Sequence, residues 1–305
     1  EVGEIVGNIF KIEARVGHGN VGVVYRAQNT QSGEAVAVKI LHPHIGAQPE
    51  AATRLHTIAH DAARLNNPAA EPIIDFGKTS ESMYCVTRWF EARTLEQVVQ
   101  AQGRLALRVV GRVAGKILNA LEAAHSAAVI HGDLSARNIF IIERSNEPHF
   151  LRVIDFELAT LARVGGQTPQ HLVHPFAVSP EQLAGRRPSP ETDFYALGWI
   201  IYRMLGGQDP YVAPSELDAF AQMQDLQRQI MNDDLTPLDQ VATETLLPGL
   251  ITLVSLLLAR QPHMRPGSVQ EIRELLKKAG RGQPVAVQPR RIAETTNFSG
   301  PPVDS

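Results

Sequence analysis

Apolar and polar positions alternate through residues 34–40: Val36, Val38 and Ile40 fall on one face of an extended chain, and Ala35, Ala37 and Lys39 on the other. This predicts a half-buried strand with a small residue and a cation side by side. Residues 10–16 and 21–28 read as a second pair of strands, joined by a glycine-rich turn into a hairpin. From residue 49 the period changes to a helical one. Pro49 suits the first turn, and Asn66-Asn67-Pro68 ends the element, so a helix is expected over residues 49–65.

Beyond about residue 90 the chain reads as mainly helical. Val110, Val113, Ile117, Leu121 and Ala124 recur at helical spacing as a core-facing stripe. Residues 139–142 and 151–154 read as short strands. The most apolar run, residues 250–259, is too short to cross a bilayer and reads as a buried core helix. After Gly280 large apolar residues become scarce, while Pro, Thr, Ser and Arg accumulate, which predicts a disordered tail or linker over residues 281–305. The pattern is that of an α+β protein, mostly strands first and mostly helices afterwards.

Composition narrows the function. The 305 residues are 44% hydrophobic and 20% charged, enough to bury a sizeable core in one large domain or two lobes. A formal net charge of -3 argues against a partner bound through a basic surface, so no nucleic acid is expected. The single cysteine, Cys85, excludes an intramolecular disulfide framework and points to a reducing compartment, the cytoplasm. No membrane segment is expected within this chain. It starts at Glu1 rather than Met, so an anchor outside it is compatible with the sequence.

Candidate chemistry lies in ordered strings. Gly17-His18-Gly19-Asn20-Val21-Gly22 comes first, then Val36-Ala37-Val38-Lys39. After these come Val129-Ile130-His131-Gly132-Asp133-Leu134-Ser135-Ala136-Arg137-Asn138 and Val153-Ile154-Asp155-Phe156. In this order they resemble the phosphoryl-transfer apparatus of the protein kinase family. The resemblance runs from about Ile9 to Ala279 and includes Ser179-Pro180-Glu181, Asp193 and Arg265, the last placed to pair with Glu181. In style it is similar to bacterial Ser/Thr kinases.

The resemblance implies a bilobal fold. A mainly antiparallel β N-lobe with one helix would occupy residues 1–90, and a larger helical C-lobe residues 91–280. It implies ATP with Mg2+ or Mn2+. The nucleotide would be held by Gly17, Gly19 and Gly22, by Val24, Ala37 and Lys39, and by the backbone of Arg88 and Phe90 next to Thr87. Asp155 and Asn138 would be the metal ligands, Asp133 the group facing the substrate hydroxyl, and Arg137 a supporting charge.

Several positions depart from the family pattern. The helix glutamate that pairs with the strand lysine falls on Ile58. Glu50 lies about 12 Å away along a helix, so Asp61, one turn from Ile58, is the expected replacement. Glu157 stands where the family has glycine, which stiffens the turn and adds charge; it could also help hold a metal. Gly132 replaces an arginine that reads a phosphate on the activation loop, so activation by such phosphorylation is not expected. Ser135 replaces a lysine and His174 a threonine, both of which normally bracket the catalytic aspartate. Arg137 matches an arrangement in which arginine supplies that missing charge.

Two functions follow. The first is an ATP- and Mg2+-dependent protein serine/threonine kinase with a protein substrate, of low or atypical activity. The alternative is a nucleotide-binding pseudokinase that acts as a regulatory interaction module for a partner. A small-molecule phosphotransferase would share His131-Gly132-Asp133, but Ser179-Pro180-Glu181 and Arg265 count against it. His42 and His44 lack ligand spacing and read as part of a turn.

Overall fold

The computed structural model describes residues 2–19, 21–65, 67–144, 147–163, 177–242 and 245–287. Four antiparallel strands open the chain: β1 (Ile5–Val6), β2 (Phe10–His18), β3 (Gly22–Asn29) and β4 (Ala35–Leu41). Two helices follow, the short α1 (Pro43–Gly46) and α2 (Pro49–Ala63). Then β5 (Asp75–Lys78) and β6 (Met83–Arg88) complete a six-stranded sheet in the order β1-β2-β3-β4-β6-β5.

The alternation in β4 does what its period requires. Val36 and Val38 are buried with Phe10, Ile12, Ala27 and Val86. On the opposite face, register places Lys39 beside Val24 on one neighbour and Cys85 on the other, and Ala37 beside Thr87. Directly opposed residues share a face, so this row becomes one wall of a cleft. Helix α2 starts at Pro49 as expected but ends near Ala63, with Arg64 closing its last turn. Ala51, Leu55, Ile58, Ala59 and Ala62 form its buried stripe. Leu55 and Ile58 share one apolar cluster with Leu41, Met83, Cys85, Leu158 and Leu161.

The rest is helical apart from a small sheet. β7 (Arg93–Thr94) leads into α3 (Leu95–Gln102), whose start is fixed by a Thr94–Gln97 capping box. α4 (Leu107–Ser126) buries the expected stripe. β8 (Ile139–Arg144) and β9 (Glu147–Val153) pair with β7 in the order β7-β8-β9. α5 (Pro180–Leu183) precedes α6 (Pro190–Gly206), which is apolar nearly all round and lies in the middle of the larger core. α7 (Ala219–Asn232), α8 (Leu238–Val241), α9 (Pro248–Leu257) and α10 (Val269–Gly280) complete this half.

α9 takes up the apolar run as far as Leu257 and packs against α6 and α10 as a core helix. Among the described residues no helix is long and apolar enough to cross a membrane. The ordered chain runs past the expected boundary at 281. Gln283 donates its backbone N–H to the Lys278 carbonyl, and Val285 is buried against the C-terminal helices. A Cβ on Gly249 would sit 2.9 Å from the Gln283 carbonyl, so this glycine lets the segment approach α9. Residues 288–305 lie outside the described residues.

Candidate active site

A cleft of about 500 Å³ lies between the six-stranded sheet and the helical half. Gly17, Gly19, Gly22, Val24, Ala37, Lys39, Arg88, Phe90, Asp133, Arg137, Asn138 and Asp155 all line it. The glycines differ in what they are for. A Cβ at Gly17 or Gly19 would meet open space, whereas one at Gly22 would lie 2.2 Å from the Ile40 carbonyl oxygen. Gly22 is therefore required by the close approach of β3 to β4. The loop is closed by the Gly19 N–H donating to the Gly22 carbonyl at 2.9 Å. His42 Nε2 donates to the Gly19 carbonyl at 2.9 Å and the His42 ring stacks on His44. Sequence reading took this pair for part of a turn, and nothing in its spacing signals the contact.

Lys39 forms an ion pair with Asp155 across the cleft, both side chains being largely buried. Burial, the largest single effect, would lower the Lys39 pKa, but the charge and hydrogen bond of the facing Asp155 carboxylate, together with neighbouring groups including Asp133, outweigh it and hold the ammonium above its ordinary range. Cys85, behind Lys39, is pushed up to about 12 by burial and stays a neutral thiol. The Arg88 guanidinium donates to the buried Glu71 carboxylate, at 2.7 and 3.1 Å.

Asp133 sits on the loop between α4 and β8 and is half-buried. Burial pushes its carboxyl above the ordinary range; His131 pulls the other way, Asp155 adds to the rise, and Lys39 opposes it. Asn138 Nδ2 donates to the Asp133 backbone carbonyl at 2.9 Å, which orients the amide with its oxygen turned elsewhere. Asp193, in the first turn of α6, braces the whole loop. Its carboxylate accepts the backbone N–H groups of His131 and Gly132, each at 2.9 Å, and pairs with His125 Nε2 at 2.8 Å. A buried carboxylate satisfied by three donors is stable only with that loop shape. Gly132 has φ +74, the left-handed region that favours glycine, and its carbonyl accepts from Gln182 Nε2 at 2.7 Å.

Oxygen donors suit a hard cation, and Asp155 and the Asn138 amide supply them on one side of the cleft. Among the described residues no group of three His, Cys, Asp or Glu could hold a metal ion by itself. Asp155 and Asn138 by themselves offer a cation only part of its oxygen shell.

A family model, the protein kinase domain, matches residues 10–278. The chain belongs to the protein kinase family. Serine/threonine-protein kinase pkn3 of Myxococcus xanthus is 27% identical over 98% of this chain and 55% of its own length. PknB of Mycolicibacterium smegmatis is 28% identical over 97% of this chain and 47% of its own length. The chain thus spans about half the length of these bacterial Ser/Thr kinases. A crystal structure of a double mutant of the Mycobacterium tuberculosis PknI kinase domain has a TM-score of 0.70 at 20% identity, covering 92% of this chain and 99% of that one. Both comparisons agree with the bilobal kinase fold described above.

For a protein kinase, the departures now have a place in space. Ile58 is buried in the apolar cluster beneath β4 and faces no lysine. The expected substitution by Asp61 does not occur: Asp61 pairs with His60 at 3.2 Å and lies 3.9 Å from Arg64, both outside the cleft. Lys39 takes Asp155 instead. Glu157 does not line the cleft, and its carboxylate is 3.8 Å from Arg54 on α2. Ser135 lines the cleft beside Asp133. The Arg265–Glu181 pair is bidentate, at 2.7 and 2.8 Å, with Arg265 fully buried. His174 lies outside the described residues.

Proposed function

We propose that the chain is the catalytic part of an ATP-dependent protein serine/threonine kinase using Mg2+ or Mn2+, working on a protein substrate. The observation that carries this reading is the convergence of Lys39, Asp133, Asn138 and Asp155 on one cleft beneath a glycine-rich loop. Lys39, kept cationic, binds the α- and β-phosphates; the loop amides near Gly17 and Gly19 cover them; the backbone of Arg88 and Phe90 receives the adenine. Asp155 and Asn138 hold the metal, which neutralises charge developing on the phosphate oxygens when bound. Asp133 orients the substrate hydroxyl and takes its proton as the oxygen bonds to the γ-phosphorus and the bond to ADP breaks. Arg137, at the cleft wall, supplies charge in place of the lysine replaced by Ser135.

The reading places the N-lobe at residues 1–90 and the C-lobe at 91–280, in a cytoplasmic protein, the compartment that suits one buried, unpaired thiol. Names of the relatives support Ser/Thr as the acceptor. A pseudokinase is the second reading, favoured by Ser135 and by the absence of a carboxylate from α2 at Lys39. Incubation with radiolabelled ATP and Mg2+ or Mn2+, beside Asp133→Asn, separates the two. Label incorporated by the wild type and lost in the variant supports the kinase; nucleotide binding without transfer supports the pseudokinase.

A further inference from the structure

Two of the departures from the family pattern meet in one contact. Ile58 stands where α2 usually supplies an anion, and Glu157 where the loop after Asp155 usually has glycine. Four residues before Ile58, one turn back on the same side of α2, is Arg54. Its Nη2 lies 3.8 Å from Glu157 Oε1, and its Nε donates to Thr160 Oγ1 at 3.2 Å. The Thr160 hydroxyl in turn donates to the Glu157 carbonyl at 2.6 Å. Beneath these polar contacts Leu55 and Ile58 share an apolar cluster with Leu158 and Leu161.

Where the family pattern pairs a helix anion with the strand lysine, here the helix gives a cation to an anion on the loop after Asp155. We propose that Arg54 and Glu157 form a latch that holds the loop carrying Asp155 against α2, so that Arg54 and Glu157 are positioning residues for the metal ligand.

Backbone geometry gives the latch something to do. Asp155 and Glu157 have φ +66 and +59, conformations that side-chain-bearing residues rarely adopt. Such residues persist where their surroundings over-determine them. Here the Glu157 N–H donates to the His131 carbonyl at 3.1 Å, and its side chain forms an ion pair with Arg54 at 3.8 Å. With both ends of Glu157 held, the Asp155 carboxylate two residues earlier stays turned toward Lys39 and the cleft. A free glycine at 157 would adopt the same φ with no such anchor.

The proposal rests on the kinase reading through its metal. Its test is the Mg2+ concentration that half-saturates the ATP-dependent rise in melting temperature, measured in wild type, Arg54→Met, Glu157→Gly and the charge reversal Arg54→Glu/Glu157→Arg. Glu157→Gly relieves the left-handed conformation, so its fold is secure. Groups that orient a metal ligand shift affinity by about 10–100-fold; acting through the backbone, each single change is expected to raise the midpoint by roughly threefold to tenfold, and the reversal to recover most of it. Midpoints equal to wild type in both single variants, or a reversal no better than either, overturn the latch. A wild type whose ATP shift ignores Mg2+ overturns the kinase reading as well, so the two failures are told apart in the wild-type curve.

Discussion

Lys39 and Asp155 neutralise one another across the cleft although 116 residues separate them in sequence. With α2 presenting Ile58 rather than a carboxylate, Asp155, the proposed metal ligand, itself holds the strand lysine. In the proposed function nucleotide and cation insert into this pair, so their binding is expected to be mutually dependent.

Asp155→Ala should remove the metal-dependent part of the ATP thermal shift. A ligand that binds only the folded state stabilises it by mass action, so melting temperature with ATP alone and with ATP and Mg2+ reads the metal contribution directly. Curves that differ with metal in the variant as they do in the wild type would exclude Asp155 as a ligand.

Gly132 should tolerate no side chain well. Its φ of +74 and the Pro188 side chain, 3.3 Å from where a Cβ would stand, both oppose one. Gly132→Ala is expected to lose roughly 1–2 kcal/mol in urea unfolding, the usual cost of a left-handed residue with a Cβ. With no arginine here to grip a phosphate, phosphatase treatment should leave the transfer rate unchanged; a large drop would contradict this reading of Gly132.

Arg265→Met should destabilise the C-terminal half by about 3–5 kcal/mol, because it strands a buried carboxylate. The acid side offers a second check. Burial would raise the Glu181 pKa, but hydrogen bonds and charge from Arg265 hold it below the ordinary 4.5. A depressed carboxyl contributes stability above 4.5 that is lost as pH falls through its folded value. Glu181→Gln should flatten that part of the stability–pH curve, measured by denaturant midpoint from pH 6 downward; an unchanged slope would show that the pair carries no linkage.

How much of this was legible in the sequence depended on range. That Ala37 and Lys39 share a face follows from strand period, and Asp133 with Asn138 lies within one short loop. Local rules suffice there. The Arg54–Glu157 pair escaped notice because more than 100 residues separate the two and the family pattern, with glycine at the position of Glu157, suggests no ion pair there. Asp61, chosen by helix geometry alone, satisfies its own helix neighbours instead. Val285 lay inside a segment whose composition read as tail, and its burial comes from apolar ground left open beside Gly249. The His42 contact to Gly19 depends on where the strand after Lys39 delivers the chain.

The raised pKa of Asp133 sets an expected pH profile. Burial pushes the carboxyl above its ordinary 3.8, and a proton acceptor works only when ionised. The transfer rate should therefore fall on the acid side at a pH above 3.8. A rate that holds steady down to that value would contradict the role.

The most direct measurement is transfer of label from radiolabelled ATP to protein at saturating Mg2+, with wild type and Asp133→Asn compared alongside ATP affinity. The expected result is a rate loss of about 10²–10⁴-fold in the variant, the usual value of a positioned base, with affinity nearly intact because Asp133 does not hold the metal. Incorporation that continues unchanged in Asp133→Asn, or none in either protein while both bind ATP, would contradict the assignment of this chain as an active kinase.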